Sequence, residues 1–96
     1  MTEDMLKAAL DAAGAKADDQ GMAVLPERHT LSLYLAHDGA SLSIARVVRL
    51  TLRGEMIKAE DDKGELFVAH LGDAFAISVS VPVPAGGSTR KAGFLR

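Results

Sequence analysis

The three histidines, His29, His37 and His70, are the side chains best suited to hold a metal or to move protons near neutral pH. A histidine metal centre needs three ligands that meet within a few ångströms. His29 and His37 are eight residues apart in the sequence, about 26 Å along an extended strand, so they cannot share an ion unless the strand bends sharply. We therefore predict no metal site and no cofactor.

Residues for nucleophilic catalysis are not arranged for that chemistry either. The chain has no cysteine, and no serine lies in the Gly-x-Ser-x-Gly pattern that exposes a nucleophile on a strand-to-helix turn. Ser41, Ser43, Ser78 and Ser80 alternate in predicted strands instead. The acidic run 60–62 lacks the spacing of a calcium loop and is typical of a solvated turn. We predict no catalytic residues and no enzymatic activity.

Basic residues form two clusters that could bind an anion. Arg49 and Arg53 share one face of a predicted strand, about 13 Å apart, a spacing that suits contacts with a phosphate backbone. The isoelectric point of about 5.8 argues against a dedicated nucleic-acid-binding domain, which is usually basic. A nucleic acid or another anionic ligand is therefore our second hypothesis. Its predicted contacts are Arg46, Arg49, Arg53, Arg90 and Lys91.

The composition predicts one small domain without disulfides. The chain has 96 residues, no cysteine, a formal net charge of −2 and 48% apolar residues, of which 16 are alanine. Its first residues are acidic, and no apolar run reaches the roughly 18 residues that a membrane helix needs. We expect a cytoplasmic protein with no membrane partner, and the alanine content is typical of a GC-rich bacterial genome. The domain is predicted over 1–84 and a Gly-rich basic tail over 85–96.

A helix is predicted over 2–14. Thr2 is a candidate N-cap, and Gly14 is a candidate terminator. Met5, Leu6 and Leu10 fall on one face of this helix. Because an isolated helix of this length is marginal in water, we expect the face to dock on the sheet or on a partner subunit. A polar linker is predicted over 15–21.

Period-2 alternation predicts a β meander over about 22–82. Leu31, Leu33 and Leu35 point to one face of its first long strand, and Asp38-Gly39 is a hairpin turn signal. The run 41–53 is long for one strand, and Arg46 interrupts its apolar side. A bulge near Arg46 is therefore expected to turn the guanidinium outward.

Two expectations concern the end of the meander. The run Leu66–Leu71 is apolar on both faces, which favours a central or doubly covered strand. In the last strand, alternation predicts that Phe75, Ile77, Val79 and Val81 point inward.

One helix followed by about five short antiparallel strands predicts a mainly β (α+β) fold. Closure into a small SH3-like or Sm-like barrel is the expected way to protect the sheet edges. The rhythm of strands and turns over Leu50–Val81 resembles small β-barrels in general. The alternative is an open antiparallel sheet with the helix across one face.

The predicted outward face of the sheet is rich in serine and alanine. Tyr34, Val47 and Phe67 are expected to share this face, and small neighbours let another surface approach closely. Our first hypothesis is a small protein-interaction or adaptor domain, of unknown pathway, that self-associates as a homo-oligomer. Its predicted contacts are Met5, Leu6, Leu10, Tyr34, Val47, Phe94 and Leu95.

Overall fold

In the computed structural model, which describes residues 1–82, one helix precedes an antiparallel sheet. The helix is α1 (Glu3–Ala12), and a 3₁₀ turn (Leu71–Asp73) joins the last two strands. The strands are β1 (Lys16–Ala17), β2 (Ala23–Val24), β3 (Thr30–His37), β4 (Ala40–Arg53), β5 (Met56–Asp61), β6 (Leu66–His70) and β7 (Ala74–Ser80).

Helix α1 begins and ends where its local sequence predicts. The Thr2 hydroxyl accepts a hydrogen bond from the Met5 backbone N–H at 3.1 Å, which satisfies one of the free donors of the first turn. Beyond the helix, Gly14 adopts φ +77°, a conformation that costs glycine little and other residues more. The predicted helix is confirmed. The predicted linker differs in part, because Lys16 and Ala17 form β1 by pairing with β2.

Strand β4 is the centre of the sheet. Its N-terminal half pairs with β3, and its C-terminal half pairs with β2 and β5. Between Ile44 and Val47 it carries one more residue than the facing segment of β3, and Arg46 there has φ +62°. The Arg46 side chain is 69% exposed. The predicted bulge is confirmed, and it turns the guanidinium outward.

The bulge exchanges the inward and outward positions only at Val47 and Val48, because a second register shift, against β5, between Val47 and Arg49 returns Leu50 to the inner face, where it is 1% exposed. Val47 is fully buried, so the expectation that it faces outward beside Tyr34 is wrong. Phe67 also packs against the core, because it lies opposite the buried Ala59 in the β5–β6 register. Of the three residues expected on the outer face, only Tyr34 lies there.

The core lies between α1 and the inner face of the sheet. At the first residue, the terminal amino group donates a hydrogen bond to the Ala74 carbonyl at 2.7 Å, which ties the start of the chain to β7. The buried residues are Leu6, Ala13, Leu25, Leu31, Leu33, Leu35, Ile44, Val47, Leu50, Ile57, Ala59, Leu71 and Ala74.

The sheet does not close within residues 1–82. β7 pairs with β3 and β6 pairs with β5, but β6 and β7 do not pair with each other. A closed five-stranded barrel needs that one further pairing. This arrangement agrees with the open-sheet alternative rather than with the expected barrel, because one edge of β6 and one edge of β7 stay unpaired within residues 1–82.

Two expectations about the last strands are wrong. Within residues 1–82, β6 is an edge strand rather than a central one, and its outer residues Leu66 and Val68 are 55% and 56% exposed. In β7 a register shift places Phe75 in a bulge, so Phe75 is 58% exposed while Ala74 is buried. The apolar second face of β6 is thus left open to solvent in the described part of the chain.

Candidate protein-interaction surface

The gap between β6 and β7, hereafter the seam, has edges of an unusual composition. Neither strand contains Lys, Arg, Asp or Glu, and His70 is their one titratable residue. Natural edge strands are generally protected by charged side chains, by proline or by bulges. β1, another terminal strand, is only two residues long and carries Lys16. The seam edges are longer, and their protection is limited to the bulge at Phe75 and to Pro82 after β7.

The core is incompletely covered along the seam. On β3, in the middle of the sheet, the inward-facing Leu31 and Leu33 are 1% and 0% exposed. The inward-facing apolar residues beside the seam are only partly buried, although they pack against the same core. They are Phe67, Ala69, Ile77 and Val79. A further strand or side chain at the seam would remove this apolar surface from water.

An aromatic pair lies on the outer face beside β7. The ring centroids of Tyr34 and Phe75 are 6.5 Å apart at an interplanar angle of 45°, a favourable tilted arrangement. The Tyr34 hydroxyl lies 3.2 Å from the Ser78 hydroxyl, within hydrogen-bonding distance. Tyr34 therefore occupies the predicted outer face, and Phe75 joins it there because of the bulge.

A cleft of about 350 Å³ lies at the end of the seam marked by the 3₁₀ turn. Sequence reasoning missed this site, and the sole sequence signal for it is the apolar character of β6 on both faces. The cleft is lined by Leu35, Ala36, His37, Ala40, Ser41, Leu42, Met56, Val68, Ala69, His70 and Asp73.

The two cleft histidines are engaged by carboxylates. His37 Nδ1 lies 2.9 Å from Asp73 Oδ1, and His37 Nε2 lies 3.3 Å from Asp38 Oδ2. No group of three or more His, Asp or Glu side chains in residues 1–82 has the geometry of a metal site.

The second histidine is held by one backbone bond and one carboxylate. His70 Nδ1 accepts a hydrogen bond from the Gly72 N–H at 2.9 Å, and its Nε2 lies 3.3 Å from Glu55 Oε1. An accepting Nδ1 assigns the proton to Nε2, which then points at Glu55. The third histidine, His29, lies outside the cleft, with Nδ1 3.0 Å from the Glu27 carbonyl oxygen.

Arg46 is engaged within the fold. Its Nε and Nη2 lie 2.7 Å and 2.6 Å from Asp62 Oδ2, and this hydrogen bonding lowers the pKa of the Asp62 carboxyl and raises the pKa of the guanidinium. Part of the positive charge proposed for an anionic ligand is thus already neutralised.

Arg49 is also engaged, with two carboxylates. Arg49 Nη2 lies 3.3 Å from Asp18 Oδ2, and Nη1 lies 3.7 Å from Glu60 Oε1. The pKa of Asp18 is lowered chiefly by the hydrogen bond from the Met22 backbone N–H, with a smaller contribution from Arg49. Arg53 shares the face of Arg49, as predicted, because Arg49, Thr51 and Arg53 are every second residue of β4 and the register with β5 is unbroken over this stretch. Arg90 and Lys91 lie outside the described residues, and the anionic-ligand hypothesis stays a prediction.

The predicted partner contacts are distributed over three environments. Leu6 is buried in the core and Leu10 packs partly against it, so the apolar face of α1 docks on its own sheet. Met5 is 48% exposed. Val47 lies in the core, as described above, while Phe94 and Leu95 lie outside the described residues.

Comparison with known proteins found no match to a protein-family model, to a curated protein or to a solved structure. In the described residues, 1–82, no helix combines the length and the apolar character needed to cross a membrane. The function of the chain must therefore be argued from its own surface.

Proposed function

We propose that this chain is a small protein-interaction domain that self-associates by strand pairing at the seam. The observation that carries the proposal is the presence of two uncharged strand edges, on β6 and β7, that have no neighbour within residues 1–82.

Strand addition suits this surface for a specific chemical reason. An unpaired edge presents a row of backbone N–H and C=O groups, and a strand from another chain satisfies them while side chains on alternate positions set the register. A second copy is the partner we favour, because every copy supplies both a β6 edge and a β7 edge of matching, uncharged character.

Apolar burial adds to the backbone bonds. Leu66 and Phe75 are 55% and 58% exposed at the two edges, and a neighbouring strand covers such side chains. Covering the exposed half of each contributes on the order of 1 kcal/mol. The partly buried residues that face the seam from inside gain further cover.

The test is sedimentation velocity at micromolar concentration. We expect the wild-type chain to sediment as a species larger than the 10.1 kDa monomer. Leu66→Lys places a charge on the β6 edge at an exposed position opposite Glu60, where the fold tolerates it, and should restore the monomer. Ser78→Lys does the same on β7, at an exposed position of the outer face opposite Ser32.

The matched control is Ala12→Lys, which makes the same change in charge at an exposed position of the helix. It should sediment as the wild type does. Far-UV circular dichroism establishes that each variant is folded. A wild-type chain that is monomeric throughout the micromolar range contradicts the proposal, as does an oligomer that survives both edge variants.

A further inference from the structure

We propose that the cleft at the end of the seam binds a segment of the same chain, residues 83–96, with Phe94 and Leu95 as its apolar anchors. The proposal does not rest on self-association, because the contact lies within one copy. The cleft is thus the binding site, and the segment 83–96, which lies outside the described residues, is its occupant.

The cleft offers an apolar floor that nothing in residues 1–82 covers. Leu42, Met56 and Val68 line it and are 63%, 42% and 56% exposed. Apolar side chains gathered in one concave site differ from singly scattered ones, since they are typical of places where a ligand or another segment docks. Its volume of about 350 Å³ lies at the lower end of the range of small-ligand pockets, which suits a pair of side chains.

The rim of the cleft is acidic. Asp73 lines it, and Asp38 and Glu55 border it through their contacts with His37 and His70. No lysine or arginine is among the residues that line the cleft.

The segment 83–96 has the complementary composition. It contains Arg90, Lys91 and Arg96 and no acidic residue, and it places the large apolar pair Phe94-Leu95 between these cations. Phe94 is the one aromatic residue of the segment. A basic segment with an apolar anchor therefore fits an apolar cleft with an acidic rim.

The length of the segment allows it to reach its own cleft. β7 leads away from the cleft, and its seven residues span about 23 Å. The twelve residues from 83 to 94 extend to about 40 Å at most, which exceeds that span. A tether of this length gives an effective concentration of about a millimolar. The chain's own segment is therefore favoured over that of a second copy at micromolar concentration.

Because the chain has no cysteine, engineered cysteine pairs report this contact directly. The test pair is Val68→Cys with Ala92→Cys, which places one thiol in the cleft and one beside the two anchors. The control pair is Ala12→Cys with Ala92→Cys. Ala12 is exposed and lies near the end of the sheet where β7 ends. Gly14, two residues beyond Ala12, faces Pro26 in the loop that leads into β3, and the first residue of β3 pairs with the last residue of β7.

We expect the intramolecular disulfide of the test pair to form at least ten times faster than that of the control pair in dilute solution. Non-reducing electrophoresis and mass spectrometry separate intramolecular from intermolecular products. Adding Phe94→Ser and Leu95→Ser to the test pair should lower its rate to that of the control. Circular dichroism of the reduced proteins verifies that all variants share one fold.

Equal rates of disulfide formation in the test and control pairs overturn the proposal, because they are the rates expected if residues 83–96 do not bind the cleft. A test-pair disulfide that joins two copies overturns the assignment to the same chain. A fast disulfide that is indifferent to the two serine substitutions shows that Phe94 and Leu95 are not the anchors. None of these outcomes depends on the sedimentation behaviour that tests the proposed function.

Discussion

The adjacent residues Val47 and Val48 offer a sharp test of how β4 is built. Period-2 alternation without a bulge buries Val48 and exposes Val47, whereas the structure buries Val47 completely and leaves Val48 partly exposed. Val47→Ala and Val48→Ala remove the same two methyl groups from neighbouring positions of one strand. Each variant is therefore the control for the other.

The expected magnitudes follow from burial. Removing two buried methyl groups costs about 1.6 kcal/mol in transfer free energy, and the remaining cavity raises the loss for Val47→Ala to roughly 2–3 kcal/mol. Val48→Ala should cost less than about 1 kcal/mol, because its side chain already contacts water. In a domain of this size the Val47 variant should melt about 10 °C or more below the wild type.

Urea unfolding followed by far-UV circular dichroism measures both changes, because the chain has no tryptophan to report by fluorescence. The slope of the free energy of unfolding against urea should be equal in the three proteins, so that the midpoints report stability alone. Equal losses in the two variants, or a larger loss for Val48→Ala, would show that β4 continues without the bulge at Arg46 and would refute the assignment of its faces.

Three further predictions concern stability. Leu6→Ala should lower the free energy of unfolding by about 2–5 kcal/mol in the same urea assay, whereas Met5→Ala should change it by less than about 1 kcal/mol, because only Leu6 reaches the core. Gly14→Ala should lower it by more than about 1 kcal/mol, since Gly14 has φ +77° and a Cβ there would lie 3.3 Å from Pro26 Cγ; an unchanged midpoint would contradict this conformation. The lowered pKa of Asp18 stabilises the fold above the carboxyl's ordinary value of 3.8, and this contribution is lost as the pH falls through the still lower folded-state pKa. The wild type should therefore be more stable than Asp18→Asn at neutral pH, and the difference should shrink below pH 3.8; a difference that is constant with pH would contradict the assignment.

Features with local causes could be predicted from the sequence. The Thr2 cap needs only a hydroxyl beside the first free N–H groups of a helix, and the Asp38-Gly39 turn needs two residues that accept positive φ, which are +50° and +82° here. The bulge at Arg46 could also be predicted from the sequence, because a charged residue interrupts the apolar side of the alternation.

The faces of the residues at each bulge are harder to predict from the sequence. One inserted residue exchanges inward and outward positions, so the place of the insertion decides whether Val47 or Val48 is buried. At Phe75 no charged residue marks the insertion, so alternation alone predicts that the aromatic side chain points inward. The cleft could not be predicted from the sequence either, because its floor combines residues from separate hairpins, and only the tertiary structure brings these residues together.

The amino-acid sequence by itself determined the helix, the longer strands β3 to β7 and the Asp38-Gly39 turn, because residue periodicity, capping and turn preference act within a few residues. It also determined that the last two strands lack protective charges. The tertiary structure decided that those strands are edges within residues 1–82, because β7 pairs with the distant β3, β6 pairs with β5, and β6 and β7 do not pair with each other. Every strand offers the same backbone N–H and C=O groups to a neighbour, so local sequence does not specify which strands pair. The packing of the whole sheet and helix decides which pairing forms. That selection exposes the seam on which the proposed association depends.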